Sequence, residues 1–311
     1  MPRKKNQPII SKNRGMKNLT CRSTFAWLIP LSLLLIASML SCKKGDPSIP
    51  EGREGSTIIH GDTIHAVWLE DRDKNCEQEL YFHRSTDKGK TWRLETCLSS
   101  ISPNPGRPTI GISNVAVFVL WRGGTCHDEI YYRRSLNSGQ TWEPTQHLNA
   151  DKPIGQSASI AASDPLIVIV WKDERDGFRK AIYYRRSTDS GETWEPDIRL
   201  TLSPEWLLKP NVAVTDKTIH IIWQDIRDGN WEIYYKRSTD GGVTWESDTR
   251  LTYEPSLSIS PQITSEGPNV RITWEDRREN HLYKFGKRST DRGNTWGPDS
   301  LIGPVYSYIG I

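Results

Sequence analysis

From about residue 55 to residue 300 the chain is written in short apolar runs separated by polar turns. One stretch shows the pattern in full. Residues 211–214 (Asn-Val-Ala-Val) form a short apolar run, residues 218–223 (Thr-Ile-His-Ile-Ile-Trp) a second and β-branched one, residues 232–237 (Glu-Ile-Tyr-Tyr-Lys-Arg) a third and residues 249–252 a fourth. Runs this short, bounded by turn residues and rich in β-branched and aromatic side chains, predict β-strands. The pattern then returns with a marker. An eight-residue phrase appears at Ser85 to Trp92 (STDKGKTW), Ser135 to Trp142 (SLNSGQTW), Ser187 to Trp194 (STDSGETW), Ser238 to Trp245 (STDGGVTW) and Ser289 to Trp296 (STDRGNTW), with steps of 50, 52, 51 and 51 residues between the serines. A fixed period of this length means that one supersecondary unit has been copied and stacked. Four antiparallel strands in one such period predict a propeller blade, an all-β architecture whose radial repetition leaves only short edges.

The eight-residue phrase falls between the third and fourth predicted strands, where a turn is required. Its Asp can accept hydrogen bonds from backbone N–H groups further along the chain, and its Gly can take the positive φ of a tight turn. Trp then offers about 150 to 250 Å² of ring surface for burial between blades. Asn137 replaces Asp in the second copy, and Leu136 replaces Thr. The phrase S-x-D-x-G-x-T-W resembles the Asp box of the sialidase-like, or BNR-repeat, β-propellers. That resemblance implies a propeller over residues 55–311, with five units standing either as five closed blades or as an incomplete six-bladed ring. The family includes exo-sialidases, other glycoside-processing propellers, sorting receptors and exported bacterial proteins, so the box implies a fold more than an activity.

A second phrase follows the second strand of most units: Trp68 to Asp73 (WLEDRD), Trp171 to Gly177 (WKDERDG), Trp223 to Gly229 (WQDIRDG) and Trp274 to Arg278 (WEDRR). Since strands alternate in direction, these loops lie at the end opposite the Asp boxes, together with the segments that link successive blades. In sialidases that end carries the catalytic pocket, at the mouth of the central channel. The loops bring Asp71 with Arg72, Asp173 with Arg175, Asp225 with Arg227 and Asp276 with Arg277. Arginine presents a planar fork of donors suited to a carboxylate or a sugar, so Arg175, Arg227 and Arg277 are candidate ligand-binding residues. The alternative is that each pair locks its own loop. Departures from the repeat are the other candidates: Arg107 before the first strand of the second unit, Arg122, His127 and Asp128 in its Gly-rich loop, and Trp206 beside Lys209 in a linking segment.

The first 42 residues add a different kind of information. They hold seven basic side chains and no acidic one, and an apolar run from Phe25 to Leu40 ends at Ser41-Cys42. The run is short for a spanning helix of about 20 residues, and a small residue before the cysteine marks a cleavage site. Met39-Leu40-Ser41-Cys42 resembles the lipobox of bacterial lipoproteins, which implies lipidation at Cys42, residues 1–42 as signal peptide, residues 43–54 as linker, and a bacterial cell-envelope location, periplasmic or outer-surface. The full chain counts 41 Lys and Arg against 38 Asp and Glu; without those seven it has 34 against 38, formally −4. A clustered basic face for nucleic acid is therefore not indicated. Cys76, Cys97 and Cys126 remain, an odd number. Cys76 and Cys126 occupy equivalent loops and are the first candidates for a bridge, with 76 to 97 the alternative. No Cys or His cluster points to a metal, and no cofactor is implied.

Exo-sialidases resemble one another in an arginine triad, an Asp acid/base and a Tyr nucleophile paired with Glu, the first arginine standing in an Arg-Ile-Pro phrase. This chain has no Arg-Ile-Pro. Tyr253-Glu254 is adjacent in sequence, and neighbours in an extended chain point in opposite directions. The expectation is therefore a lipid-anchored propeller that binds a glycan or a protein on the face opposite the Asp boxes, with a sialidase-type glycoside hydrolase or an envelope-complex platform as alternatives.

Overall fold

The computed structural model describes residues 55–72, 78–99, 105–124, 129–148, 155–175, 180–201, 206–278 and 281–305. These lie in one compact unit, Asp46–Ile311. The unit is an all-β propeller of five blades, each a four-stranded antiparallel sheet whose strands pair in chain order. Blade 4 is representative: Leu207–Thr215, Thr218–Asp225, Glu232–Ser238 and Thr249–Arg250. The first strand of each blade lines the central channel, and the fourth is two residues long in blades 1 to 4. So short an outer edge offers little to an aggregating neighbour.

Each Asp box forms the turn expected of it. In blade 1 the Ser85 hydroxyl donates to Asp87 Oδ1 at 2.8 Å and accepts the Gly89 N–H at 2.8 Å, while Thr91 donates its N–H to Asp87 Oδ1 and its hydroxyl to Asp87 Oδ2. Blade 2 keeps the same turn with Asn137. Its amide nitrogen donates to the Thr141 hydroxyl at 2.8 Å, so the hydroxyl accepts there instead of donating. In blades 1, 3, 4 and 5 the box also bonds back to the turn between the first two strands, as in Lys88 N–H to Asp62 O and Gly241 N–H to Lys217 O. Both turns therefore lie at one end, which confirms the predicted polarity of the blades.

Blades pack through apolar faces and a repeated interlock. Val67, Leu80 and Phe82 of blade 1 meet Val117, Val119 and Trp121 of blade 2, and similar clusters join blades 2 to 3, 3 to 4 and 4 to 5. The Asp-box Trp of each following blade stands edge-on to an aromatic on the third strand of its predecessor: Phe82 with Trp142, Tyr132 with Trp194, Tyr184 with Trp245 and Tyr235 with Trp296, at 4.9 to 5.7 Å. Two residues beyond the aromatic, Arg84, Arg134, Arg186 and Arg237 each donate to a carbonyl of the next Asp-box turn. The turn's Gly makes this approach possible. A Cβ on Gly139 would sit 2.4 Å from the Phe82 ring, and the residue has φ 79°.

Candidate functional site

The loops opposite the Asp boxes are pinned from within. Trp171 and Trp223 donate their indole N–H groups to Asp173 and Asp225 at 2.8 and 3.0 Å, and both carboxylates are fully buried. Arg175 and Arg227 bond to those carboxylates through backbone N–H and guanidinium, and reach across to Asp197 and Asp248 at 2.7 and 2.9 Å. Each guanidinium also covers a tyrosine ring, 4.4 Å from Tyr183 and 4.3 Å from Tyr234. Burial works against the charge of these arginines, and the paired aspartates outweigh it and raise both pKa values. Their donors are thus committed to their own blades, and the loop-locking alternative describes them.

Two of the sequence pairings need correction in register. In blade 5 the pinning arginine is Arg278, which bonds Asp276 at 2.7 Å and covers Phe285 at 3.9 Å; Arg277 is exposed and, among the described residues, bonds through its backbone N–H, to Leu257 O. Aligning the phrase on its Trp gives W-x-D-x-R with Arg278 in the last place, so the signal was present. In blade 1 the carboxylate is Glu70, not Asp71: it accepts from Trp68 Nε1 and from Arg72 Nε, and Arg72 pairs with Glu95 as well.

The first strands build a different surface. Arg107, Ser157, Lys209 and Ser260 occupy one equivalent position in blades 2 to 5, all with left-handed backbones (φ 46°, 54°, 52° and 55°). Each lies at a shift of register between the first and second strands. Such bulges re-aim side chains, and here they turn four of them toward the channel mouth. With Gly55 of blade 1 they rim a cavity of about 450 Å³, and Thr109, Ser159, Asn211 and Gln262 form a polar ring beneath. Arg107 donates to the Ser157 hydroxyl at 3.3 Å and Lys209 Nζ to the Ser260 hydroxyl at 2.8 Å. The described lining holds two cations, hydroxyls and amides, and no carboxylate, Tyr or His. The channel continues below the polar ring as a second cavity of about 390 Å³.

Of the sequence candidates, Arg107 stands on this rim. Arg122 faces Gly106 across the first two strands of the same blade, with a guanidinium nitrogen 3.9 Å from where a Cβ on Gly106 would stand. Trp206 is 58% exposed, and Lys180 Nζ lies 3.2 Å from its ring centre, so it does not plug the gap between blades. Its neighbour Leu207 does go inward, into the junction of blades 3 and 4. His127, Asp128, Cys42, Cys76 and Cys126 lie outside the described residues. Cys97 is a free thiol. Ser157, Ser260 and Gln262 were not singled out from the sequence; the signal was Arg107-Pro108, Lys209-Pro210 and Ser260-Pro261 recurring at steps of two periods and then one.

Tyrosine and carboxylate do meet elsewhere. Tyr131 donates to Glu129 and stacks on His147 at 4.6 Å, and Tyr81 donates to Glu79 at 2.5 Å. Burial and then the adjacent Glu129 push Tyr131 up to about 12, and Tyr81 is also raised. These phenols are on third strands, away from the channel. Tyr253 donates to Arg250 O and makes no bond with Glu254 among the described contacts.

Comparison with known proteins agrees with the architecture. Residues 159–305 match the BNR repeat-like domain. No curated protein matches the chain in sequence. A protein of unknown function from Dyadobacter fermentans is similar in structure, with a TM-score of 0.59 at 15% identity over 80% of this chain and 82% of that one. An α-L-arabinofuranosidase from Fusarium graminearum, in complex with an iminosugar inhibitor, gives a TM-score of 0.53 at 14% identity over 78% and 79%. A Trypanosoma rangeli sialidase in complex with sialic acid gives 0.46 at 13% identity over 76% and 54%. Identities this low speak to fold alone. In fold, the chain is an all-β propeller of five four-stranded blades, whose residues 159–305 match the BNR repeat-like domain.

Proposed function

We propose that this protein binds an acidic glycan at the channel mouth, with Lys209 and Arg107 facing its carboxylate. The observation that carries this reading is the charge of the mouth: the loop arginines are neutralised within their blades, while the rim holds two cations and its described lining no carboxylate. Ser157, Ser260, Asn211 and Gln262 supply the donors and acceptors that sugar hydroxyls need. A cavity of about 450 Å³ is within the ~300 to 1,000 Å³ of small-ligand sites.

Binding is favoured over hydrolysis by the same lining. Glycoside cleavage of the usual kind needs two carboxyl groups about 5 to 9.5 Å apart, and the described rim supplies none. A tyrosine nucleophile needs an accessible phenolate, whereas Tyr131 is held protonated beside Glu129. A glycan array on the purified protein, with sialylated and uronate-bearing glycans beside neutral ones, tests the reading. Selective retention of the acidic glycans is the expected result; indifference to their charge would remove its basis. Turnover of a fluorogenic sialoside would instead restore the hydrolase.

The reading of residues 1–42 as a lipoprotein signal places this site at a bacterial cell envelope, held through acyl chains on Cys42. Cys42→Ser should then move the protein from the membrane fraction to the soluble fraction. Retention of the variant in the membrane would contradict the anchor.

A further inference from the structure

Four blade junctions are built alike and the fifth is not. On the forward face of blade 4, His220 and Ile222 of the second strand and Ile233 and Tyr235 of the third pack against blade 5 or its Asp box. The same positions in blade 5 are Arg271, Thr273, Lys284 and Gly286. An apolar face has been exchanged for cations and a glycine, and no buried apolar cluster among the described residues joins blade 5 to blade 1. Trp92, the Asp-box Trp of blade 1, meets no aromatic of blade 5 among the described residues. It turns to its own blade, against His83 at 4.7 Å, and donates to Gly89 O.

One part of the junction is kept. Arg288 stands where Arg84, Arg134, Arg186 and Arg237 stand, yet it is exposed and donates to no turn carbonyl among the described residues. Directly opposite it across the strand pair is Arg271, also exposed. Like charges facing each other in a sheet are destabilising, and neither arginine has a carboxylate partner among the described residues. They border a cavity of about 790 Å³ between blade 5 and Ile59, His60 and Gly61 of blade 1, in which Glu266 is the one carboxylate of the described lining.

We propose that this seam, at the Asp-box end and remote from the channel mouth, is a docking site for an acidic polypeptide segment of a partner protein. Its carboxylates would neutralise the opposed pair Arg271 and Arg288. A polypeptide is favoured over a free anion because each counterpart of Arg288 donates to a backbone carbonyl of a turn, and because the cavity of about 790 Å³ exceeds the room one small anion fills. A sixth blade is disfavoured as occupant, since Arg271 and Lys284 replace the buried His220 and Ile233 of the preceding junction and leave Ile302, over Gly286, as the large apolar side chain of this face.

Fluorescence anisotropy of labelled hexaglutamate with the full-length protein tests the site. The wild type should bind it in preference to hexaglutamine, and Arg271→Ala or Arg288→Ala should each weaken binding about tenfold. Lys217→Ala, an exposed charge on another turn of the same end, should leave it unchanged. Thermal melting of Arg271→Ala should be no lower than wild type, because the substitution relieves a repulsion; this separates lost binding from lost folding. Equal binding by wild type and both variants, or by hexaglutamate and hexaglutamine, would overturn the proposal. So would complete displacement by an equal concentration of inorganic phosphate, which would make the seam a small-anion site.

Discussion

At the scale of single residues, the Asp box couples turn chemistry to blade packing. Gly139 is the clearest case, with a left-handed backbone and a neighbouring ring closer than any Cβ allows. Gly139→Ala should destabilise the protein by about 1 to 3 kcal/mol, read from the midpoint of urea denaturation; an unchanged midpoint would mean that the junction yields. Buried histidines give a second expectation. His65 and His220 are pushed down to about 4, first by burial and then by Arg84 and Arg237. In the unfolded chain they titrate near about 6.5, so between those values the unfolded state binds protons that the fold refuses, and stability falls as pH falls from about 6.5 to about 4. Asp87 and Asp189, held at about 2 by bonds from Thr91 and Ser187, extend the loss below about 4. Replacing His65 by Val, the residue of the equivalent place in blade 3, should flatten the melting temperature between pH 6.5 and 4. An unaltered slope would assign the acid sensitivity elsewhere.

At the scale of elements, the repeated loops are scaffolding. Asp225 is the keystone of its loop, since Trp223 Nε1, the Arg227 backbone and the Arg227 guanidinium all donate to it. Asp225→Ala strands these donors and should cost about 3 to 5 kcal/mol, seen as an earlier denaturation midpoint; a smaller loss would mean that Asp248 and water replace it. The elements themselves were legible in sequence because apolar alternation and Asp-box chemistry are local. Their edges were less so. The first strand of blade 4 begins at Leu207 rather than near residue 211, because the bulge at Lys209 interrupts the alternation without ending the strand. The fourth strand stops at Arg250, although Leu251 still bonds back through its N–H to Ile233 O.

At the scale of the whole molecule, fivefold repetition separates the surfaces. Radial stacking brings Arg107 and Lys209, some hundred residues apart in sequence, onto one rim. That convergence was only half legible. Arg107 and Lys209 stood out as departures from the repeat, whereas Ser157, Ser260 and Gln262 are ordinary residues made significant by their place in the ring. Arg175 and Arg227 show the opposite case, residues with binding chemistry that the fold consumes. We propose that the mouth selects a carboxylate, and isothermal titration with 3′-sialyllactose and lactose reads that selection. The predicted result is preference for sialyllactose, with Lys209→Ala weakening it by about tenfold or more and leaving the melting temperature unchanged. Equal affinity for the two sugars, or full sialyllactose affinity in Lys209→Ala, would contradict it.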